Sequence, residues 1–180
     1  MNELPITLDD TYERILLGIP KEKFQHARRL LQCIVAAIRP LRVEELAEIF
    51  AIEFDPNEVT NLVEGWRPEN PEEAVHSACS SLITIIDDQG SKIVQISHFS
   101  VNEFLTSDRL QTSEVDNICD YYVRLEPAHF LLAQTRLEVL LLLDENVDKG
   151  RFRTFPLVFY TVEHLVKQPS RVVRECRVKI

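Results

Sequence analysis

A change of hydrophobic period near residue 82 divides this chain. Before it, apolar side chains recur at helical steps; after it come two short β-branched runs. A helix buries a stripe at about 3.6 residues per turn and a strand buries one face at a period of 2, so the switch marks where helices give way to a sheet.

The clearest helical stripe is Phe24, Ala27, Leu31, Ile34 and Ile38, with Glu22, Gln25, Arg28, Arg29 and Gln32 on the other side. It predicts a helix from Lys21 to Ile38, stopped by Arg39-Pro40. A second helix is expected over Leu41 to Ile52, with Leu46, Ile49 and Phe50 inward, broken by Asp55-Pro56-Asn57. A third is expected over Glu72 to Leu82, with Ala74, Val75, Ala78 and Cys79 as a small-residue inner face. Leu82 to Ile86 and Lys92 to Phe99 then read as the strands of a hairpin, joined by a loop over Asp87 to Ser91 that contains Gly90. Ser100-Val101-Asn102-Glu103 reads as a capping box that launches a short helix through Leu105. Upstream, Thr7-Leu8-Asp9-Asp10 reads as another, with Leu8, Tyr12, Ile15 and Leu16 at helical spacing and Gly18 and Pro20 ending that helix. Three helices followed by a two-stranded hairpin is the order of a winged helix, with the hairpin as the wing.

Beyond residue 108 the chain turns strongly apolar. Helices are expected over Asp116 to Arg124, Ala128 to Leu143 and Phe155 to Val166. A helix apolar on most sides needs neighbours to bury it. This segment reads as the first turns of a helical stack. The expected class is therefore mainly α with a small β-hairpin wing: a winged-helix domain followed by an α-helical, partly superhelical segment.

Several chemistries have no carrier in these residues. The four glycines, Gly18, Gly65, Gly90 and Gly150, are isolated, so no phosphate-cradling loop can form from them. There is no GxSxG elbow and no HExxH. Ser100 and Glu103 read as capping residues, because neither a base nor an oxyanion site can be assembled around Ser100 from sequence. Cys33, Cys79, Cys119 and Cys176 lack metal-binding spacing and read as small buried side chains in a reducing compartment. The expectation is no enzyme, no metal and no cofactor in this chain. Neither a signal peptide nor a membrane span is legible, so an intracellular, cytoplasmic location is expected, away from membranes.

Charge weighs against nucleic acid. The net charge is -9. Between Val43 and Ser91 the one basic side chain is Arg67, against twelve acidic ones, and Glu72 to Leu82, the helix that would enter a major groove, has no Lys or Arg. Residues 151–180 carry seven Lys or Arg against Glu163 and Glu175, which reads as a solvated end. Trp66 reads as a loop anchor on the core or as part of an exposed partner patch.

Three motifs carry a family resemblance. Leu4-Pro5-Ile6-Thr7-Leu8-Asp9-Asp10-Thr11-Tyr12-Glu13-Arg14-Ile15-Leu16 resembles the segment that closes the ATPase part of fungal NACHT-type signal-transduction (STAND) ATPases. Arg39-Pro40-Leu41-Arg42-Val43-Glu44-Glu45-Leu46 resembles the turn and second helix of their winged-helix domain, the type labelled after a GPI inositol-deacylase. His98-Phe99-Ser100-Val101-Asn102-Glu103-Phe104-Leu105 resembles the motif directly after the wing. Arg42 departs from the pattern, standing where the family puts a capping Thr, and an Arg there cannot accept from the helix end, a cost of about 1 kcal/mol.

The resemblance implies a division into residues 1–19, a linker helix from a nucleotide-binding domain; 20–108, the winged helix; 109–168, helices leading to ankyrin or other repeats; and 169–180, a disordered or aberrant tail. It implies a non-catalytic regulatory module whose partners are a NACHT nucleotide-binding domain and helical repeats, in the parent protein or a paralogue. By motif position, His98 would touch the phosphates of ADP when that domain is present. Against this stands a plain reading in which Val94, Ile96 and His98 share one strand face and His98 is a core histidine. The alternative function is a stand-alone winged-helix nucleic-acid-binding protein.

Overall fold

A computed structural model describes residues 7–53, 61–115, 117–141 and 155–167. Helix α1 (Leu8–Leu17) opens with the capping box legible in the sequence: Thr7 accepts from the Asp10 N–H, and the Asp10 carboxylate accepts from the Thr7 N–H at 3.0 Å. Helix α2 (Phe24–Ala36) follows a one-turn 3₁₀ lead-in at Lys21–Lys23. It buries Ala27, Leu30, Leu31, Cys33 and Ala36, while Ile38 lies beyond its end and is exposed.

The second expected helix is shorter than its pattern. Leu41–Arg42 instead form strand β1, followed by α3 (Val43–Ala47), a 3₁₀ turn at Glu48–Ala51 and strand β2 (Ile52–Glu53), which pairs with β3 (Asn61–Leu62). Arg42 stands at the N-cap of α3 with no side-chain cap bond, and Glu45 supplies the reciprocal half of a capping box by accepting from the Arg42 N–H at 2.8 Å. Helix α4 (Pro71–Cys79) is capped by Asn70 and buries Val75, Ala78 and Cys79. A 3₁₀ turn at Ser80–Leu82 carries the chain into the wing.

The wing is β4 (Ile83–Asp88) and β5 (Ser91–Ile96), paired antiparallel from Ile83↔Ile96 to Asp88↔Ser91. Its loop is two residues rather than five: Gln89 and Gly90 both have positive φ, at 53° and 83°. The Asp87 carboxylate accepts from the Gly90 N–H at 2.9 Å. Strand β1 adds to β5, so the sheet has three strands in the order β1-β5-β4.

Helices α5 (Phe99–Leu105) and α6 (Asp108–Gln111) lead to Asn117, which has a left-handed backbone, and a 3₁₀ turn at Ile118–Tyr121. The longer helix expected from Asp116 to Arg124 is thus only one turn. The two apolar helices exist, as α7 (Leu125–Leu141) and α8 (Pro156–Lys167). Helix α7 packs along α2, and α8 packs on α3 and α7. Their buried residues Ala128, Leu132, Val139, Leu157 and Tyr160 join one continuous core with Leu30, Leu31, Leu46, Val75 and Leu105. The outer sides of α7 and α8 leave Phe130, Leu137, Phe159 and Val162 partly exposed. The 169–180 tail lies outside the described residues.

Candidate functional site

His98 sits where β5 hands over to α5, and the reading of it as a core histidine fails: the side chain is exposed. The strand ends at Ile96, so the alternation that would turn His98 inward stops two residues early. His98 is instead the N-cap of α5, its Nδ1 accepting from the Ser100 N–H at 3.3 Å. This corrects the capping box expected at Ser100. The N-cap lies two residues earlier, and Glu103 is exposed.

The Ser100 hydroxyl lies 2.7 Å from His98 Nδ1 and 2.7 Å from the Tyr12 hydroxyl of α1. Sequence reasoning found no base near Ser100, yet the fold places an imidazole against it. Residues 98 and 100 are close in sequence, but the third member comes from 88 residues away. With Nδ1 accepting, the neutral imidazole carries its proton on Nε2. Among the described residues no hydrogen-bond partner is assigned to Nε2. The arrangement can therefore offer one N–H, held in place through Nδ1, to an acceptor such as an anionic oxygen.

Helix α1 is pinned to this corner by more than Tyr12. The Tyr12 ring packs on Phe104 of α5, with centroids 5.5 Å apart. Arg109 of α6 reaches Asp9 at 2.7 Å and Asp10 at 3.1 Å. The Thr7 hydrogen bonds, with Arg109 after them, hold the Asp10 carboxyl below its ordinary value. Phe99, beside His98, stands 68% exposed.

The surface that would meet nucleic acid is acidic or already neutralised. Arg67 is tied to buried Glu48 at 2.7 Å and stacks on Phe155. Lys92 of the wing pairs with Glu72 of α4. Trp66 is half exposed and does not join the core.

A second polar cluster holds the C-terminal helices in place. Glu45, 1% exposed, accepts from both terminal guanidinium nitrogens of Arg39 at 2.8 and 2.9 Å. Arg39 also reaches Glu163 at 3.0 Å and lies over the Tyr160 ring. The Glu45 hydrogen bonds, its charge and then Glu163 push the Arg39 pKa further up. The Tyr160 hydroxyl accepts from the Ile38 N–H at 3.1 Å. Sequence reasoning missed this cluster, because Tyr160 and Glu163 lie more than a hundred residues from Ile38, Arg39 and Glu45.

Among the described residues no group of three or more His, Cys, Asp or Glu is placed to hold a metal. None of their helices is long and apolar enough to cross a membrane.

No solved structure matches the chain. A protein of Monascus ruber, "Azaphilone pigments biosynthesis cluster protein L", is 30% identical over 171 residues, or 91% of this chain. The chain spans 35% of that relative's length. The family model described as "GPI inositol-deacylase, winged helix domain" matches residues 12–116, which run from α1 through the wing to just past α6. The chain belongs to the family of GPI inositol-deacylase winged-helix domains.

Proposed function

We propose that this winged helix is a non-catalytic regulatory module of a STAND-type NACHT ATPase, packing on the nucleotide-binding domain to control its switch. The observation that carries this reading is the hydrogen-bonded chain from Tyr12 through Ser100 to His98. It joins the helix that would arrive from the ATPase to the histidine that would meet ADP. Movement of α1 would then displace His98, which is how a nucleotide-biased, two-state element transmits its state. The exposed Phe99 and Leu8 supply apolar area near each end of that link for a domain to cover. Helical repeats would follow α8 on the exposed sides of α7 and α8.

In this reading the chain is not an enzyme and is cytoplasmic. The His98–Ser100 contact fixes a tautomer rather than activating a nucleophile, since Ser100 also bonds Tyr12 and Nε2 has no orienting acceptor among the described residues. Nucleic acid is not its partner, since α4 offers Glu72, Glu73 and His76 where phosphate contact needs cations.

The test begins with the genomic DNA and transcript on either side of the coding region for residues 1–180. An in-frame phosphate-binding loop upstream is the expected finding. In the longer protein, His98→Ala should weaken ADP retention about tenfold, the order of one charge-assisted hydrogen bond. A transcript that starts and stops at this chain, or unchanged ADP retention in that variant, would overturn the reading.

A further inference from the structure

A groove of about 530 Å³ runs between α4 and β4. Its walls include Glu72, Glu73 and His76 of α4 and three consecutive residues of β4, namely Ile83, Thr84 and Ile85. Successive strand side chains point to opposite faces, so three in a row line one groove only when it follows the strand's edge. β4 is an edge strand, with β5 on one side and no strand on the other among the described residues.

The register says which backbone groups face that groove. Asp88 and Ser91 flank the two-residue loop, so they exchange hydrogen bonds, and bonding alternates from there. Ile86 and Thr84 bond inward to β5, and the Ser97 N–H donates to Leu82 in the same phase at 3.0 Å. Ile83 and Ile85 therefore turn their N–H and C=O outward, into the groove. Their side chains lie on the core face, the face that Lys92 shares when it reaches Glu72 of α4.

We propose that this groove captures an extended peptide as a fourth strand on β4, with basic side chains toward α4 alternating with apolar ones on the outer face. An added strand takes its main-chain bonds from Ile83 and Ile85, and side chains level with them project toward Glu73 and His76, beside the Glu72–Lys92 pair. Glu73 is exposed, its side chain accepting from Asn70. Asp87 and Asp88 continue the acidic line along the strand. On the other face Ile86 is 40% exposed beside Ile93, a surface for apolar side chains. The same acidic residues repel a second copy of this chain at net charge -9, so the groove selects a basic partner.

The test is a ¹⁵N NMR titration of the full 180-residue chain with the acetylated, amidated hexapeptide Arg-Val-Arg-Val-Arg-Val, against a control with Glu in place of Arg. The Ile83 and Ile85 amides should shift and gain protection from exchange with the Arg peptide and stay unchanged with the Glu peptide. Ile85→Pro removes an outward N–H that the β4–β5 ladder does not use, and should abolish binding. Should that variant fold poorly, Glu73→Lys, at an exposed position, should still weaken binding about fivefold. No shift at millimolar peptide would overturn the proposal, as would equal binding of the Glu peptide or full binding by both variants. So would self-association of the chain through β4, which would make a second copy the occupant.

Discussion

Tyr12 and Ser100 lie 88 residues apart and share a 2.7 Å hydrogen bond that joins the first helix to the start of α5, just after the wing. Tyr12→Phe keeps the ring on Phe104 and removes only the hydroxyl. A loss of about 1 kcal/mol is expected, read as a shift in the urea midpoint without a change in slope. Tyr12→Ala also empties ring volume and should cost about 3 kcal/mol or more. Equal effects from the two variants would mean that the hydroxyl, not the packing, holds α1.

Arg39→Ala should be among the most damaging surface-proximal changes. It leaves Glu45 buried without its counter-charge and releases Glu163 of α8 and the Tyr160 ring. Arg39 is itself about a third exposed, so a cost of about 3 kcal/mol is expected, at the low end for breaking a buried pair. Hydrogen exchange should rise first in α8. Uniform exchange across the chain would refute the tethering role.

The wing turn gives a test of backbone conformation alone. Gly90 has φ of 83° and open space around its missing Cβ, so Gly90→Ala meets strain rather than a clash. It should destabilise by about 1 kcal/mol. Gln89 also has positive φ, and Gln89→Asn should stabilise slightly, because Asn tolerates the left-handed region better. Thermal melts of both variants would show the opposite signs.

Burial, and then the nearby Arg29, lower the pKa of His26 from 6.5. Unfolding frees this imidazole to take a proton. Its contribution to stability is therefore full above 6.5 and is lost as pH falls from there through the folded value. His26→Leu should flatten that part of the stability profile below pH 6.5 while keeping an apolar contact with the Phe50 ring. A slope unchanged in the variant would assign the effect to another group.

Thiol labelling should divide the cysteines. Cys33 and Cys79 are buried, and burial pushes both thiols up, Cys33 to about 12. Cys119 is exposed. Iodoacetamide under native conditions, followed by peptide mass mapping, should modify Cys119 and spare Cys33 and Cys79. Native labelling of Cys79 would mean that α4 opens readily from the core.

The α2 stripe, the Thr7 capping box, the small inner face of α4 and the order of three helices before a hairpin were legible because each is a local pattern. Period and caps act over four residues or fewer, so the residues that show them are the residues that cause them. The exclusion of phosphate-loop and zinc motifs from these residues is sequence information of the same kind.

Other features were decided only by packing. Two residues, Leu41 and Arg42, are too few to show a period, and they became a strand because β5 offered a partner edge. Gln89 has weak turn chemistry, and the two-residue loop follows from the pairing of Asp88 with Ser91. His98 was named from its motif position, but its surface exposure and capping role depended on where β5 stopped. Its link to Tyr12, the tie of Arg39 and Glu45 to Glu163, and the edge position of β4 among the described residues are tertiary outcomes. Each joins residues that no local period relates, and only folding sets which distant groups share a hydrogen bond.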